Sequence, residues 1–531
     1  MKLSNLKFVN IFTCLAAASA VIFLIFVNFV NLQSHWTQHV DDSYLADCTN
    51  QLLNGKEFYH AAGKPVIVLL AALFHLNSPD KIIYLFTLSG LISVLALFFL
   101  ALYLLKDFIL SLIVALLWFS SPFYFYYSKA EHLVFVAIYL LAILLCLYGV
   151  EQLKWKYHIW GSILLASSLL THPSLLVYIP CVFVYFFFCF RQKNLNMIFF
   201  LKKSVIPFIS VIFAYDFGAL FLYFVFHPFS HKIWPMTYFW YDHFFVRQHI
   251  KEFAASYGFF YHFKTFYLLE WKLVSILIIC ATCFLFYSLL KKYFNKKVNF
   301  FESSFVLFFL LIPLFIVYFR AILGQFSPIR FFLPIIPILY LLIGYLFKEV
   351  ISKKFYFGIF IILLFFVVAR GDYNKNILEP ALRTEFKETV EYLNNSSFDL
   401  LVFYETPYLF RSFNFFDKKT IFEFIFDSSY LKIMYGFDKF QADVNEIFEQ
   451  LKKHKKVAFI MGTVTLDDKK NYEKLLEKYF AIDLVKMIES PFSTSIFRLE
   501  DANNEGKDFI SKCLSQPAPL FYIFELKLKE V

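Results

Sequence analysis

Residues 8–30 read FVNIFTCLAAASAVIFLIFVNFV, and a polar string, HVDDSYLADCTNQLLNGKEFYHAAGKPV, occupies 39–66. The first string carries no charge over 23 positions, and about 20 apolar residues suffice to cross the ~30 Å hydrocarbon core as a helix. LAAASA at 15–20 has the small-residue spacing of a signal-peptidase site, but the apolar run continues past it, so a retained first span is expected rather than a cleaved leader. The second string opens on two adjacent carboxylates, Asp41 and Asp42, just beyond that span. Clustered carboxylates raise each other's pKa and need solvation or a cation, so a pair at a membrane surface marks a candidate site.

Further apolar runs fall at 82–104, 108–125, 133–150, 158–171, 174–190, 205–226, 271–290, 303–319, 331–347 and 355–369. With the first they predict about eleven spans, and a shorter run at 65–76 reads as a helix lying on the interface. The chain is 60% hydrophobic and 22% aromatic, with a mean hydropathy of +0.62, well above the about 45–50% apolar content of soluble domains. Its net charge of +10 is uneven: residues 1–369 carry 27 basic and 14 acidic side chains, and 370–531 carry 23 and 26. The basic excess therefore belongs to the apolar part, where cytoplasmic loops rich in Lys and Arg account for it without a nucleic-acid partner. A cytoplasmic N-terminus puts Lys106, Lys154, Lys156, Arg191, Lys202, Lys203, Lys291, Lys292 and Lys348 inside. It puts 31–80, 120–132, 227–270, 320–330 and everything after 370 outside. Of the eight cysteines, Cys280 and Cys283 stand one helical turn apart inside an apolar run, where small core residues explain them, and the others are scattered without a His/Cys cluster.

From 371 the pattern changes. FDLLVFYE (398–405), TIFEFIFD (420–427), KVAFIMG (456–462), AIDLVKMIE (481–489) and STSIFRLE (493–500) alternate with charged, helix-like runs. Such alternation predicts an α/β domain over 371–531, outside the cytoplasm, attached to a multi-span domain over 1–370. It contains no GxGxxG, P-loop or nucleophile elbow, so a supporting or acceptor-binding role is expected of it.

Four features converge on the outer face. Asp41 and Asp42 are the first; an N-cap role is the bland alternative. The second is SPFYFYYSKAEHLV (121–134), which carries Glu131 and His132 at the mouth of a span, among tyrosines that also suit an interfacial belt. The third is a set of cations: Lys64, before Pro65, and Arg320 and Arg330, flanking AILGQFSP. Snorkelling explains them; so does binding a lipid phosphate. The fourth is His172 in THP (171–173), a cap or a proton carrier. Asp216 in FAYDFGAL is a mid-span carboxylate. The aromatic loop HPFSHKIWPMTYFWYDHFFVRQH (227–249) suits sugar or lipid contacts and an interface belt equally.

These residues resemble GT-C glycosyltransferases, especially the protein O-mannosyltransferase and lipid A aminoarabinose transferase group. There an acidic pair follows the first span, then a Tyr, a Gly and a Lys-Pro-Pro element; here stand Asp41-Asp42, Tyr44, Gly55 and Lys64-Pro65, with Val66 in place of the second Pro. Ala130-Glu131-His132 takes the place of a Glu-x-Arg, and Arg330, Pro334 and Pro337 resemble a late Arg-aromatic-x-x-Pro-x-x-Pro signature. The likeness covers about residues 1–370 in motif order. It implies a polytopic α-helical fold and an inverting sugar transfer from a polyprenyl-phosphate donor to a glycan, lipid or protein acceptor, among membrane lipids. The site would face outward from a bacterial inner membrane. Asp41 would be the general base, with Asp42 the second candidate. Lys64, Arg320 and Arg330 would hold the phosphate, Glu131 and His132 would orient the acceptor or sugar, and Tyr44 and His172 would complete substrate binding. No cofactor is required; a divalent metal between Asp41 and Glu131, as in the oligosaccharyltransferase branch, stays open. A lipid-linked-sugar flippase would favour mid-membrane charges, of which Asp216 is the convincing one. A polysaccharide polymerase or ligase fits poorly with the domain after 370.

Overall fold

The structure is a computed structural model. It describes residues 3–29, 40–54, 64–226, 270–294, 329–352, 355–378, 386–404, 420–424, 456–462, 480–490 and 518–528, with isolated positions between them. Packing divides the chain into two compact units. One comprises Met1–Leu32, Cys48–Asn77 and Lys81–Leu378; the other comprises Gln33–Asp47, Ser78–Asp80 and Glu379–Val531.

The first unit is helical: α1 (Leu3–Phe29), α3 (Pro65–Leu73), α4 (Pro79–Leu105), α5 (Phe108–Phe119), α6 (Pro122–Tyr127), α7 (His132–Glu151), α8 (Trp155–Leu169), α9 (Ile179–Gln192), α10 (Met197–Phe200), α11 (Ile206–Phe226), α12 (Lys272–Phe294), α13 (Ile336–Val350) and α14 (Tyr356–Tyr373). The helix α2 (Val40–Leu53) precedes α3. Among the described residues, four segments are long and apolar enough to cross a membrane: Asp80–Leu105, His132–Glu151, Met197–Gly218 and Tyr356–Asn376. Shorter apolar helices lie at Ala18–Phe29, Phe108–Phe119, Ile179–Gln192 and Lys272–Ser288. The expected run 303–319 lies mostly outside the described residues. This is an integral membrane protein with a mostly helical fold.

Three expected runs divide; 174–190 is a 3-10 turn, Pro173–Val177, followed by α9 from Ile179. The run 108–125 is α5 followed by the separate α6, because Pro122 has no N–H to continue α5 and instead sits in the first turn of α6. Ser121 caps that new start, its Oγ accepting from the Phe123 N–H at 3.1 Å. The run 331–347 begins with a 3-10 turn, Ile329–Phe332, and α13 starts at Ile336, where Pro337 falls in its first turn. At α7 and α8 the backbones touch. A Cβ on Gly161 would stand 2.5 Å from Cys146 Sγ and 2.8 Å from the Ala142 carbonyl oxygen, and one on Gly149 would stand 2.5 Å from the His158 nitrogen. Only glycine permits that approach. The core beside this pair is built of large buried side chains, among them Trp118, Tyr139, Tyr178 and Tyr340.

The second unit contains a five-stranded mixed sheet in the order β2-β1-β3-β5-β4. Here β1 is Leu400–Tyr404, β2 Thr420–Phe424, β3 Val457–Gly462, β4 Phe480–Ser490 and β5 Ala518–Leu528. Strand β1 runs parallel to both β2 and β3, whereas β5 runs antiparallel to β3 and β4. Leu400 is opposite both Thr420 and Val457. The helix α15 (Phe386–Asn395) precedes β1 and buries Val390 and Leu393. Strand β5 is additional to the expected runs, and STSIFRLE lies outside the described residues.

Candidate functional site

Three chain turns bring the polar groups together. Lys64 precedes α3, whose Pro65 fixes the helix start. Glu131 and His132 form the junction between the α6 turn and α7: Glu131 is the residue at the N-cap and His132 the first in the helix. His172 is the N-cap of a 3-10 turn, Pro173–Val177, and its Nδ1 accepts the Ser174 N–H at 3.2 Å, with Ser174 Oγ 2.7 Å away.

Lys64 Nζ forms an ion pair with Glu131 Oε1, and both side chains are about 95% or more removed from solvent. The carboxylate also sits at the N-terminus of α7, where the helix dipole favours negative charge. His132 Nε2 lies 4.0 Å from the same oxygen. The rings of His132 and His172 are 5.6 Å apart, centroid to centroid. Tyr127 meets the edge of His132 at 5.2 Å, and Phe135 stacks on His172 at 4.7 Å. All four polar residues are buried. The result is a cation, a carboxylate and two imidazoles held in an aromatic wall. That set can bind an anion and move a proton.

Glu131, His132 and His172 each offer a ligand atom, and these atoms lie within 4.8 Å of one another. A carboxylate with two imidazoles is a donor set suited to a transition metal. Lys64 argues against that use, because its ammonium already neutralises the carboxylate and a divalent ion would bring further positive charge beside it.

Of the other expected site residues, Arg330 is half-buried in the 3-10 turn Ile329–Phe332. The next residue, Phe331, faces His172 at 6.4 Å, and its carbonyl accepts from the Tyr178 hydroxyl. Asp41, Asp42 and Tyr44 belong to the first turns of α2, and their side chains lie outside the described residues, as do Gly55 and Arg320. The aromatic loop 227–249 lies there too. Asp216 is buried within α11. Lys129 stands two residues before Glu131 in the same turn. It is fully buried, with Nζ 4.6 Å from the Phe125 ring centre. In sequence it is a third charge within four residues of a turn between apolar runs.

No protein-family model matches the chain, and no curated protein matches it. Solved structures do, among them two of one protein. One is ArnT from Cupriavidus metallidurans bound to undecaprenyl phosphate, with 12% identity and a TM-score of 0.58; the match covers 90% of this chain and 96% of that one. The other is the same protein in the apo state, with 12% identity, a TM-score of 0.59 and the same coverage. The chain has the ArnT fold. At this identity the likeness is one of architecture. It extends over nearly the whole of both chains. ArnT is a lipid A aminoarabinose transferase, a GT-C glycosyltransferase. It belongs to the group whose loop motifs the residues around Asp41, Lys64 and Glu131 resemble.

Proposed function

We propose that the protein is an inverting glycosyltransferase that moves a sugar from a polyprenyl-phosphate donor to an acceptor hydroxyl at the outer face of a bacterial inner membrane. The observation that carries this reading is the buried Lys64–Glu131–His132–His172 cluster in a chain with the fold of an undecaprenyl-phosphate-binding protein. Asp41 takes the proton of the acceptor hydroxyl, with Asp42 the second candidate. The acceptor oxygen then bonds to the anomeric carbon as the carbon–oxygen bond to phosphate breaks, and the electron pair leaves with the polyprenyl phosphate. Lys64, Arg320 and Arg330 stabilise the charge that develops on that phosphate. Lys64 does so by exchanging Glu131 for a phosphate oxygen. Glu131, freed of its cation, and His132 orient the sugar or acceptor, and Tyr44 and His172 line the donor. Residues 371–531 form an extracytoplasmic α/β domain that supports the acceptor side.

The test is transfer by the purified full chain in nanodiscs, assayed with polyprenyl-phosphate sugars. Asp41→Asn is expected to lower turnover by about 10²–10⁴-fold while the protein stays folded and inserted. Wild-type turnover in that variant would overturn the base assignment. Absence of transfer from every donor by the wild type would overturn the function.

A further inference from the structure

A second buried polar cluster lies at the corner between α5 and α6. Glu270 and Arg370 are 3% and 0% exposed and form an ion pair, Arg370 Nη2 donating to Glu270 Oε1 at 2.5 Å. The same oxygen accepts the Trp271 N–H at 2.8 Å. The other carboxylate oxygen accepts from Ser121 Oγ at 2.9 Å and from the Tyr340 hydroxyl, which stands 2.7 Å from Ser121 Oγ. Four donors converge on one carboxylate.

The cluster also reaches the backbone where α5 ends. A helix leaves its last carbonyls without intrahelical partners, and in an apolar medium an unsatisfied carbonyl costs several kcal/mol. Arg370 Nη1 donates to the Leu117 carbonyl at 3.2 Å, and Asn374 Nδ2 donates to the Ser120 carbonyl at 3.1 Å. Three handles on one corner (Leu117 O, Ser120 O and Ser121 Oγ) are thus gripped by groups from beyond residue 269. After the corner comes α6, six residues long and too short to hold its place alone. Then come Lys129, Glu131 and His132. A buried ion pair is weak evidence for stability, because apolar residues of similar volume often serve as well; fixing a register is its better-attested use.

We infer that Glu270, together with Arg370 and Tyr340, is the positioning residue for the loop 121–131 and so sets where Glu131 and His132 meet Lys64. The bonds of these three run to the corner, to the Trp271 N–H and to one another, so they act through Ser121 and α6. The inference deepens the proposed function, and rests on it for turnover alone.

The test compares the full chain in nanodiscs with Glu270→Gln and Tyr340→Phe. The second variant is near-isosteric and keeps the ion pair, should the first fail to fold. Amide hydrogen exchange is expected to speed up by about tenfold or more across 121–131, with α4 at its wild-type rate, since local opening reports the loss of local bonds. Turnover is expected to fall by about tenfold with donor KM within about twofold, because Lys64 is carried by α3 rather than by the loop. Arg370→Lys, which keeps the charge but not the planar fork, is expected to resemble Glu270→Gln rather than the wild type. Wild-type exchange across 121–131 in both variants, or equal acceleration in α4, would overturn the inference. If the wild type transfers no sugar, the proposed function fails and the exchange measurement still decides the positioning role.

Discussion

Among the described residues, the helical unit buries two carboxylate–cation pairs, and their settings differ. Around Glu270 the partners are a guanidinium fork, a backbone N–H, a serine and a tyrosine, contributed by distant parts of the chain that all converge on one helix corner. Around Glu131 the cation is a single ammonium on a flexible stem, and the neighbours are two imidazoles and aromatic rings. A fork bound at two acceptors has one geometry; a lysine can turn to another oxygen. The first pair is suited to holding; on the proposed function the second exchanges its partner, and the identity of the cation tells the two apart.

That contrast can be broken by experiment. The largest effect is expected at Arg370→Met, which strands the Glu270 charge and should lower stability by about 3–5 kcal/mol in thermal denaturation of the nanodisc-held protein. Adding Glu270→Leu should recover most of the loss, and failure to recover would mean the pair does more than balance charge. Next is Lys64→Met, which on the proposed function should reduce transfer by about 10²–10³-fold, because it would remove one contact to the leaving phosphate. Its melting temperature should fall less than that of Arg370→Met, and an equal fall would erase the distinction between holding and exchanging. Tyr340→Phe removes one of four donors to a charged group and should cost about 1.5–3 kcal/mol by the same denaturation assay. Ser174→Ala removes a hydroxyl partner of His172 and should cost about 1 kcal/mol. It should slow turnover with little change in folding; a larger stability loss would move His172 to the holding class.

The helices were legible because uncharged runs of spanning length have few other readings, and the bounds of α4, α7, α8 and α11 follow the runs closely. The break between α5 and α6 was written in Ser120-Ser121-Pro122 but hidden inside a continuous apolar stretch. In the sheet unit, β1 to β4 follow their alternating runs. Strand β5 opens Ala-Pro and carries Glu525 and Lys527 inside an apolar run, which obscures its period. Lys64, Glu131, His132 and His172 could be singled out because each is a polar group placed where apolar runs end. Glu270 and Arg370 also lie at run ends and so look like ordinary interfacial charges. What distinguishes them is contact across 100, 149 and 253 positions of sequence, which no local pattern encodes.

The glycines between α7 and α8 have a further consequence. With Gly149 and Gly161 locking the two backbones, α7 cannot slide along its neighbour. Its 20 residues measure about 30 Å, close to the thickness of the hydrocarbon layer. The helix is then a gauge rod: its length matches the apolar layer, and Glu131 and His132 mark a fixed height at its N-terminal end. A thicker or thinner bilayer would shift the lipid headgroups past that fixed mark, so acyl-chain length becomes a dial on how far the Lys64–Glu131 pair lies from the headgroups.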